Sequence, residues 1–303
     1  SLQNIKKLVE VDKAQFLVGF TSGSELVPAF DYIQQNKIVT VVGGAPDKNI
    51  TSTPNDYVFR MRPPADYTGS EVGKYIYNEM GVESMAIIGA ISEGFFKDLV
   101  GGVQGGFESA GGKITGIFGF KQTQQDVTSQ VTAALATNPD AIYNASPVEN
   151  AAFVYKAARD LGYEGKYLGF SGGTTEQFTK IIPVEQLAGC FDMTPAEVNY
   201  NQADEINGPA AIEFMDKYKA KFDIEAQPVT GYGYDAVMTL ATAIEAAGTT
   251  DADAVKKALE EMQIPDNLSM KYLSVGGNGK LFDKSHQAYV PNAAFMWDEN
   301  GNK

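Results

Sequence analysis

The sequence predicts an α/β protein of two lobes, each a mainly parallel sheet wound on both faces by helices, and three observations carry that reading. First, 303 residues suffice for two cores of ordinary size, about 100–150 residues each. Second, short apolar runs alternate with longer amphipathic stretches, which is the pattern of repeated βα units. Third, after about residue 195 the alternation gives way to consecutive helices and late β-type segments, as in a chain that passes between lobes more than once.

In chain order the strand candidates are QFLVGF (15–20), KIVTVV (37–42), MAIIGA (85–90), KITGIFGF (113–120), AIYNAS (141–146), KYLGF (166–170) and LAGCFDM (187–193). Each is short and almost continuously apolar, as expected of strands covered on both faces. The helices between them are read from periodicity. Val154, Ala157, Ala158 and Leu161 share one face before Gly162 supplies a stop. Residues 204–222 put Ala211, Phe214, Met215, Tyr218 and Phe222 on one side, and Val237, Leu240, Ala241 and Ile244 form a stripe that ends at Gly248. These stripes read as core faces. A shorter helix falls near 252–262, followed by the β-type segments KYLSV and AYVPNAAFMW.

Hydrophobic residues at 44% and charged residues at 20% describe an ordinary globular chain, with core enough to need no cofactor. Twenty-four basic against 38 acidic residues leave a formal charge of −14, which repels phosphate backbones and argues against nucleic acid as a partner. No apolar run reaches the roughly 18–20 residues of a membrane-spanning helix, and SLQNIKKLVEVDK lacks the apolar stretch of a signal peptide, so export implies a leader already removed. The lone cysteine, Cys190, allows no internal disulfide and reads as a small buried residue in a strand. With His286 the only histidine, a Cys/His zinc site is excluded.

One motif is nucleophile-like: GFSGG (169–173) matches the GxSxG pattern around Ser171, and Asp283 and His286 in FDKSHQ follow in the order a serine hydrolase needs. The local sequence argues against a strained elbow. Thr174 and Gln177 form a capping box that starts a helix at about residue 175, leaving a loop where an elbow needs a sharp turn. The Gly-rich segments GAPDKN, VGGVQGGF and VGGNGK lack phosphate-loop spacing, and Gly101, Gly102, Gly105 and Gly106 read as close-packing positions on a helix. What remains is a set of small and polar residues just after strands, where open parallel sheets bind ligands: FTSGSE (20–25), GGAPD (43–47), ISEGFF (91–96), NASP (144–147) and FSGG (170–173).

The order and spacing of LVGFTSGSELVPAFD, IVTVVGGAPDKNIT, YVFRMRPPADYTGSEVGKYI, MAIIGAISEGFFKD, PDAIYNASPVENAAFVYKAARDLGY, KYLGFSGGT, GYGYDAVMTLATAIEAAG and FMWDENG resemble those of the type I substrate-binding proteins of ABC transporters. Leucine/isoleucine/valine-binding proteins typify that group, and the resemblance covers essentially the whole chain. It implies two Rossmann-like lobes, 1–64 plus 195–284 and 65–194 plus 285–303, joined by a three-crossover hinge and closing on a small ligand. It also implies a receptor and not an enzyme, a monomer with a small-molecule ligand and a membrane permease as partners, located in the periplasm or outside the cell, free or lipid-anchored. Carried over by position, the ligand contacts are Ser22, Gly23, Ser24, Ala45 and Pro46 in the first lobe. In the second they are Asp66, Tyr67, Phe95, Ala145, Ser146 and Ser171.

Three departures matter. Pro46 stands where the family often has threonine, and offers neither hydroxyl nor N–H. Ser171 stands where the family's amino-acid binders place a glutamate for the ligand's ammonium group. Either Asp66, Glu93 or Glu149 substitutes, or the ligand is not a standard α-amino acid. The family normally carries a further βα unit and strand ahead of the helix that SLQNIKKLVEVDK resembles, so the first lobe is expected without its first βα unit. The resulting expectation is a receptor for an amino-acid-like or organic-acid ligand, aromatic ones included given Tyr67, Phe95 and Phe170. Two alternatives stay open: a serine hydrolase built on Ser171, His286 and Asp283, and the ligand-sensing domain of a receptor or regulator.

Overall fold

Two parallel sheets grow from the apolar runs, and each organises its own compact unit. The computed structural model describes residues 2–92, 94–170, 175–198, 206–227 and 229–302. Unit 1 comprises Ser1–Pro64 and Pro195–Pro291, and unit 2 comprises Ala65–Thr194 and Asn292–Lys303, so the chain passes between them three times.

Unit 1 begins with α1 (Leu2–Lys6), β1 (Leu17–Gly19), α2 (Gly23–Leu26), α3 (Phe30–Gln35), β2 (Thr40–Val42), α4 (Asn49–Ser52) and β3 (Val58–Arg60). Its sheet runs β1-β2-β3, all parallel, with Leu17 beside Thr40 and Thr40 beside Val58. Unit 2 follows as α5 (Ala65–Asn78), β4 (Ser84–Gly89), α6 (Gly94–Ala110), β5 (Lys113–Gly119) and α7 (Thr128–Leu135). It continues with β6 (Ala141–Ala145), α8 (Val148–Asp160), β7 (Lys166–Phe170), α9 (Thr175–Thr179) and β8 (Phe191–Pro195). The chain returns to unit 1 with α10 (Pro209–Phe222), α11 (Thr230–Ala247) and α12 (Ala252–Glu261), and β9 (Asn292–Met296) closes unit 2. The unit 2 sheet runs β5-β4-β6-β7-β8-β9 and is parallel from β5 to β8.

Side-chain alternation covers both faces of the unit 2 sheet. Met85, Ile87, Ala141 and Tyr143 pack with Val72 and Ile76 of α5 and Leu99 and Val103 of α6. Ala86, Ile88 and Ile142 pack on the other face with Val131 of α7 and Val154 of α8. Helices α5 and α6 meet backbone to backbone through four glycines. A Cβ on Gly69 would lie 2.3 Å from Leu99 O, on Gly73 2.3 Å from Val103 O, on Gly102 2.2 Å from Asp66 O and on Gly106 2.1 Å from Ser70 O. Gly101 and Gly105 meet nothing within 4 Å, so close packing accounts for half of that glycine cluster.

Several expectations are revised. Strand β3 runs through YVFRM, which the apolar pattern leaves unmarked because Arg60 interrupts it. KYLSV contributes only a bridge from Val275 to Lys280, across a turn where Gly276, Gly277 and Gly279 all take positive φ. The buried face of α11 is Tyr232, Asp235, Ala236, Thr239, Leu240 and Ala243, while Val237 is 52% exposed. The Asp235 carboxylate turns that face inward by accepting from Ser269 N at 2.5 Å and the Tyr272 hydroxyl at 3.0 Å. Leu161 and Phe222, expected on core faces, are exposed because each sits at the end of its helix. Cys190 is buried as expected, one residue ahead of β8 rather than within it. The segment 285–291, expected with the second lobe, belongs to unit 1. The reason is parallel pairing of Gln287 with Arg60: Arg60 N donates to His286 O at 2.9 Å and Ala288 N to Arg60 O at 2.8 Å.

Two predictions follow from packing and burial. Gly102→Ala forces a methyl into the α5 backbone and lowers unfolding free energy by about 3 kcal/mol in urea titrations, whereas Gly105→Ala on the open face raises it by about 0.5–1 kcal/mol. Burial holds the Asp235 carboxyl up at about 6, against the opposing pull of its Ser269 and Tyr272 bonds. A native pKa above the unfolded value means that the folded state keeps a proton the unfolded state has lost. Its contribution to stability is therefore full below about pH 4 and gone above about pH 6. Unfolding free energies measured at pH 4.5 and 7.5 should show this acid-side gain in the wild type and its loss, roughly 1–3 kcal/mol, in Asp235→Asn.

Candidate functional site

Parallel strands deliver their exits to one edge of a sheet, so in unit 1 the loops after β1, β2 and β3 gather together. Gly43 N donates to Gly19 O at 3.0 Å and Gly44 N to Phe20 O at 3.2 Å, tying the first two loops. Phe20 itself sits at φ 65, a left-handed conformation that a bulky side chain takes only when its surroundings impose it. Ser22 then caps α2: its Oγ accepts from Ser24 N at 3.3 Å and lies 2.8 Å from Ser24 Oγ. Gly23 N donates to Asp47 Oδ2 at 2.8 Å, and a Cβ on Gly23 would stand 2.8 Å from Asp47 Cβ, so glycine alone fits there. Ala45 and Pro46 are buried beside Asp47 in the second loop. Ser22, Gly23, Ser24, Ala45 and Pro46 are thus brought to one edge of unit 1.

Two arginines that the sequence reading passed over hold this edge in place. Arg60 is fully buried. Its Nε donates to Gln287 Oε1 at 2.5 Å, its Nη2 to Thr51 Oγ1 at 2.8 Å, and its Nη1 to the carbonyl of Asp47 and, at 3.5 Å, that of Ala45. Arg62 donates from Nη1 to Gly44 O at 3.1 Å, pairs through Nη2 with Glu197 Oε1 at 3.0 Å, and lies 5.7 Å from the centre of the Tyr232 ring. Burial pushes the Glu197 carboxyl up, with the Arg62 guanidinium pulling against it. Burial, then the Glu197 charge, holds the Tyr232 phenol well above its ordinary value. The available signal was FRMR: two cations in an apolar stretch that can enter a core only if their donors are matched.

In unit 2 the predicted residues divide. Asp66 Oδ1 accepts from Tyr67 N at 3.0 Å in the first turn of α5, and Tyr67 is half-buried, its phenol raised by burial and by Glu71. Phe95 stands in the first turn of α6, edge-on to Phe96 with ring centres 5.0 Å apart. Ala145 and Ser146 are fully buried, and their polar groups face inward: Ala145 O accepts from Ala90 N at 3.0 Å and Ser146 Oγ donates to Asn144 Oδ1 at 2.8 Å. Ser171, Glu93 and the capping residue Thr174 lie outside the described residues. Helix α9 begins at Thr175, as the capping box expects.

The hydrolase alternative loses its base. His286 Nδ1 lies 3.1 Å from Val58 O, Nε2 lies 3.3 Å from Glu260 Oε1, and the ring stacks on Phe59 with centres 4.0 Å apart. Asp283 accepts instead from Ser285, Gln287 N and the Tyr289 hydroxyl. Among the described residues no cluster of His, Cys, Asp and Glu could hold a metal ion. A separate groove of about 670 Å³ in unit 1 is lined by Phe214, Lys217, Tyr218, Phe222, Tyr234 and Leu268, and by none of the predicted site residues. The edge loops offer hydroxyls, a carboxylate and apolar surface, which is equipment for holding a solute.

Arg60→Met should lower unfolding free energy by about 3 kcal/mol or more in urea titrations, because Thr51, Gln287 and the Asp47 carbonyl each lose a charged donor in a buried setting. Arg60→Lys should recover little of it, since a single ammonium cannot span acceptors laid out for a planar guanidinium.

A sequence profile of the periplasmic binding protein family matches residues 1–302. An amino acid binding protein of Pseudomonas aeruginosa is 22% identical over 97% of this chain and 75% of its own length. A Leu/Ile/Val-binding protein homolog of Brucella suis is 24% identical over 82% of this chain, which spans only 65% of that protein. The crystal structure of a leucine binding protein from Thermotoga maritima superposes with a TM-score of 0.79 at 21% identity, covering 99% of this chain and 81% of the other. That likeness shows the type I fold of two Rossmann-like parallel-sheet units. Among the described residues no helix is long and apolar enough to cross a membrane, and the family implies a periplasmic or extracellular location. Matched along nearly its whole length, the chain belongs to the periplasmic binding protein family, whose members are solute receptors and not enzymes.

Proposed function

We propose that the chain is the solute receptor of an ABC transporter, capturing a small amino-acid-like or organic-acid ligand and passing it, unchanged, to a membrane permease. The observation that carries the reading is the cross-tied edge of unit 1, where Ser22, Gly23, Ser24, Ala45 and Pro46 converge on a scaffold fixed by the buried Arg60 and the half-buried Arg62. The names of the relatives, an amino acid binding protein and a leucine binding protein, support the ligand class. Tyr67 and Phe95, both half-buried on the first turns of α5 and α6, extend it to aromatic solutes. The receptor acts as a monomer in the periplasm or at the outer face of the membrane, free or held by a lipid anchor, with no cofactor and no nucleic acid partner. Binding shifts populations between receptor states, so affinity reflects that balance as well as the contacts themselves.

Thermal unfolding against a panel of amino acids, aromatic acids and amides tests it. A true ligand at 100 times its dissociation constant adds about 2.7 kcal/mol, which for a chain of this size raises Tm by roughly 4 °C. A panel that leaves Tm unchanged throughout, with no small molecule released on denaturing the purified protein, contradicts the receptor reading.

A further inference from the structure

Resting on that receptor reading, we infer that Asp47 is the residue that reads the solute's amino group, so that the edge of unit 1 selects an ammonium or other N–H donor and rejects a bare carboxylate. The Gly23 amide is the backbone donor that the loop after β1 would offer to a ligand carboxylate, and it is already taken. Asp47 Oδ2 accepts from it at 2.8 Å, and the two residues are so close that a methyl on Gly23 would meet the Asp47 Cβ and Cγ at 2.8 and 2.9 Å. A ligand carboxylate seeking that N–H would have to lie against a resident carboxylate, like charge on like charge.

The surroundings turn the same carboxylate into an acceptor. Among the described residues Asp47 Oδ1 accepts no hydrogen bond, and Asp47 is only half-buried, so it remains reachable. Beside Gly23 stand the hydroxyls of Ser22 and Ser24, 2.8 Å apart, which can accept from a ligand donor as well as give. The rest of the second loop competes with none of this: Ala45 is apolar, Pro46 has no N–H, and the Ala45 and Asp47 carbonyls are turned inward to Arg60. The buried guanidinium pins the Asp47 backbone and leaves only its side chain to face the ligand. Asp47 thereby supplies a carboxylate within unit 1, whereas the family resemblance expects one at the position of Ser171.

Two series of probes separate the terms: L-leucine, L-leucinamide, isopentylamine and 4-methyl-2-oxopentanoate, and the corresponding L-phenylalanine, phenylalaninamide, phenethylamine and phenylpyruvate. Affinities are measured by calorimetry on the full chain, in the wild type, Asp47→Asn and Asp47→Ala. Asparagine keeps an oxygen to accept from Gly23 N–H and so preserves the tie between loops while removing the charge. The expected result is that the amino-bearing members of at least one series bind the wild type tenfold or more tighter than the 2-oxo acid. Asp47→Asn should then weaken the amino-bearing compounds by tenfold or more and close that gap. A 2-oxo acid that binds the wild type as tightly as its amino acid, or a preference that survives Asp47→Asn, overturns the inference and leaves the receptor reading standing. Weakening of all compounds equally in Asp47→Ala, with Asp47→Asn silent, reduces Asp47 to a loop tie and overturns it too. If no compound in either series binds the wild type, the inference and the receptor reading for amino-acid-like solutes fall together.

Discussion

Unit 1 is organised around a cation with no access to water. Arg60 is the last residue of β3, and each nitrogen of its side chain donates to an acceptor from a different part of the chain: Thr51 on α4, the carbonyls of the second edge loop, and Gln287 on the returning segment. Burying a guanidinium is unfavourable unless its hydrogen bonds are made, so the charge demands that these segments converge on it. Once they do, the order of the edge loops follows. The Asp47 carbonyl is pinned, the Asp47 carboxylate reaches Gly23 N, and Ser22 caps α2 beside it. Arg62 repeats the arrangement one step outward, with Glu197 as counter-ion and Gly44 O as acceptor.

Among its described residues unit 2 has no buried cation. Its edge is set by apolar layers on both faces of a six-stranded sheet and by the glycine contact between α5 and α6, which leaves no room for side chains between the two backbones. The two units therefore differ in how change at the edge is felt. In unit 1 a substitution near the site disturbs polar bonds in a chain; in unit 2 it disturbs packing.

Much of this was legible in the sequence, for physical reasons that can be named. Continuous apolar runs such as MAIIGA and AIYNAS mark strands buried on both faces, and β4 and β6 follow them closely. The segments that misled are those where a polar group is buried for a partner far away in sequence. YVFRM hides β3 because Arg60 is satisfied by Gln287, 227 positions on. The α11 stripe is rotated because Asp235 turns inward to Ser269 and Tyr272 in a later loop. Periodicity reports which side chains avoid water, and it cannot report a carboxylate or guanidinium whose partner arrives from another segment. In unit 1 the loops after the strands were legible through their small residues, yet the tie from Asp47 was missed although it ends the very motif GGAPD, since nothing local shows that it reaches Gly23. In unit 2 Ser146 was named by position from the resemblance, and its hydroxyl is given to Asn144.

The central claim is that a small solute lands on the cross-tied edge of unit 1. Backbone amide NMR spectra of the isotope-labelled chain, recorded with and without saturating L-leucine or L-phenylalanine, locate the contact directly. The account predicts the largest shifts at Gly23, Ser24, Gly44 and Asp47, with little change at α12 on the far side of the sequence. Shifts concentrated instead at Phe214, Tyr218 and Tyr234, with the edge loops unmoved, would contradict it.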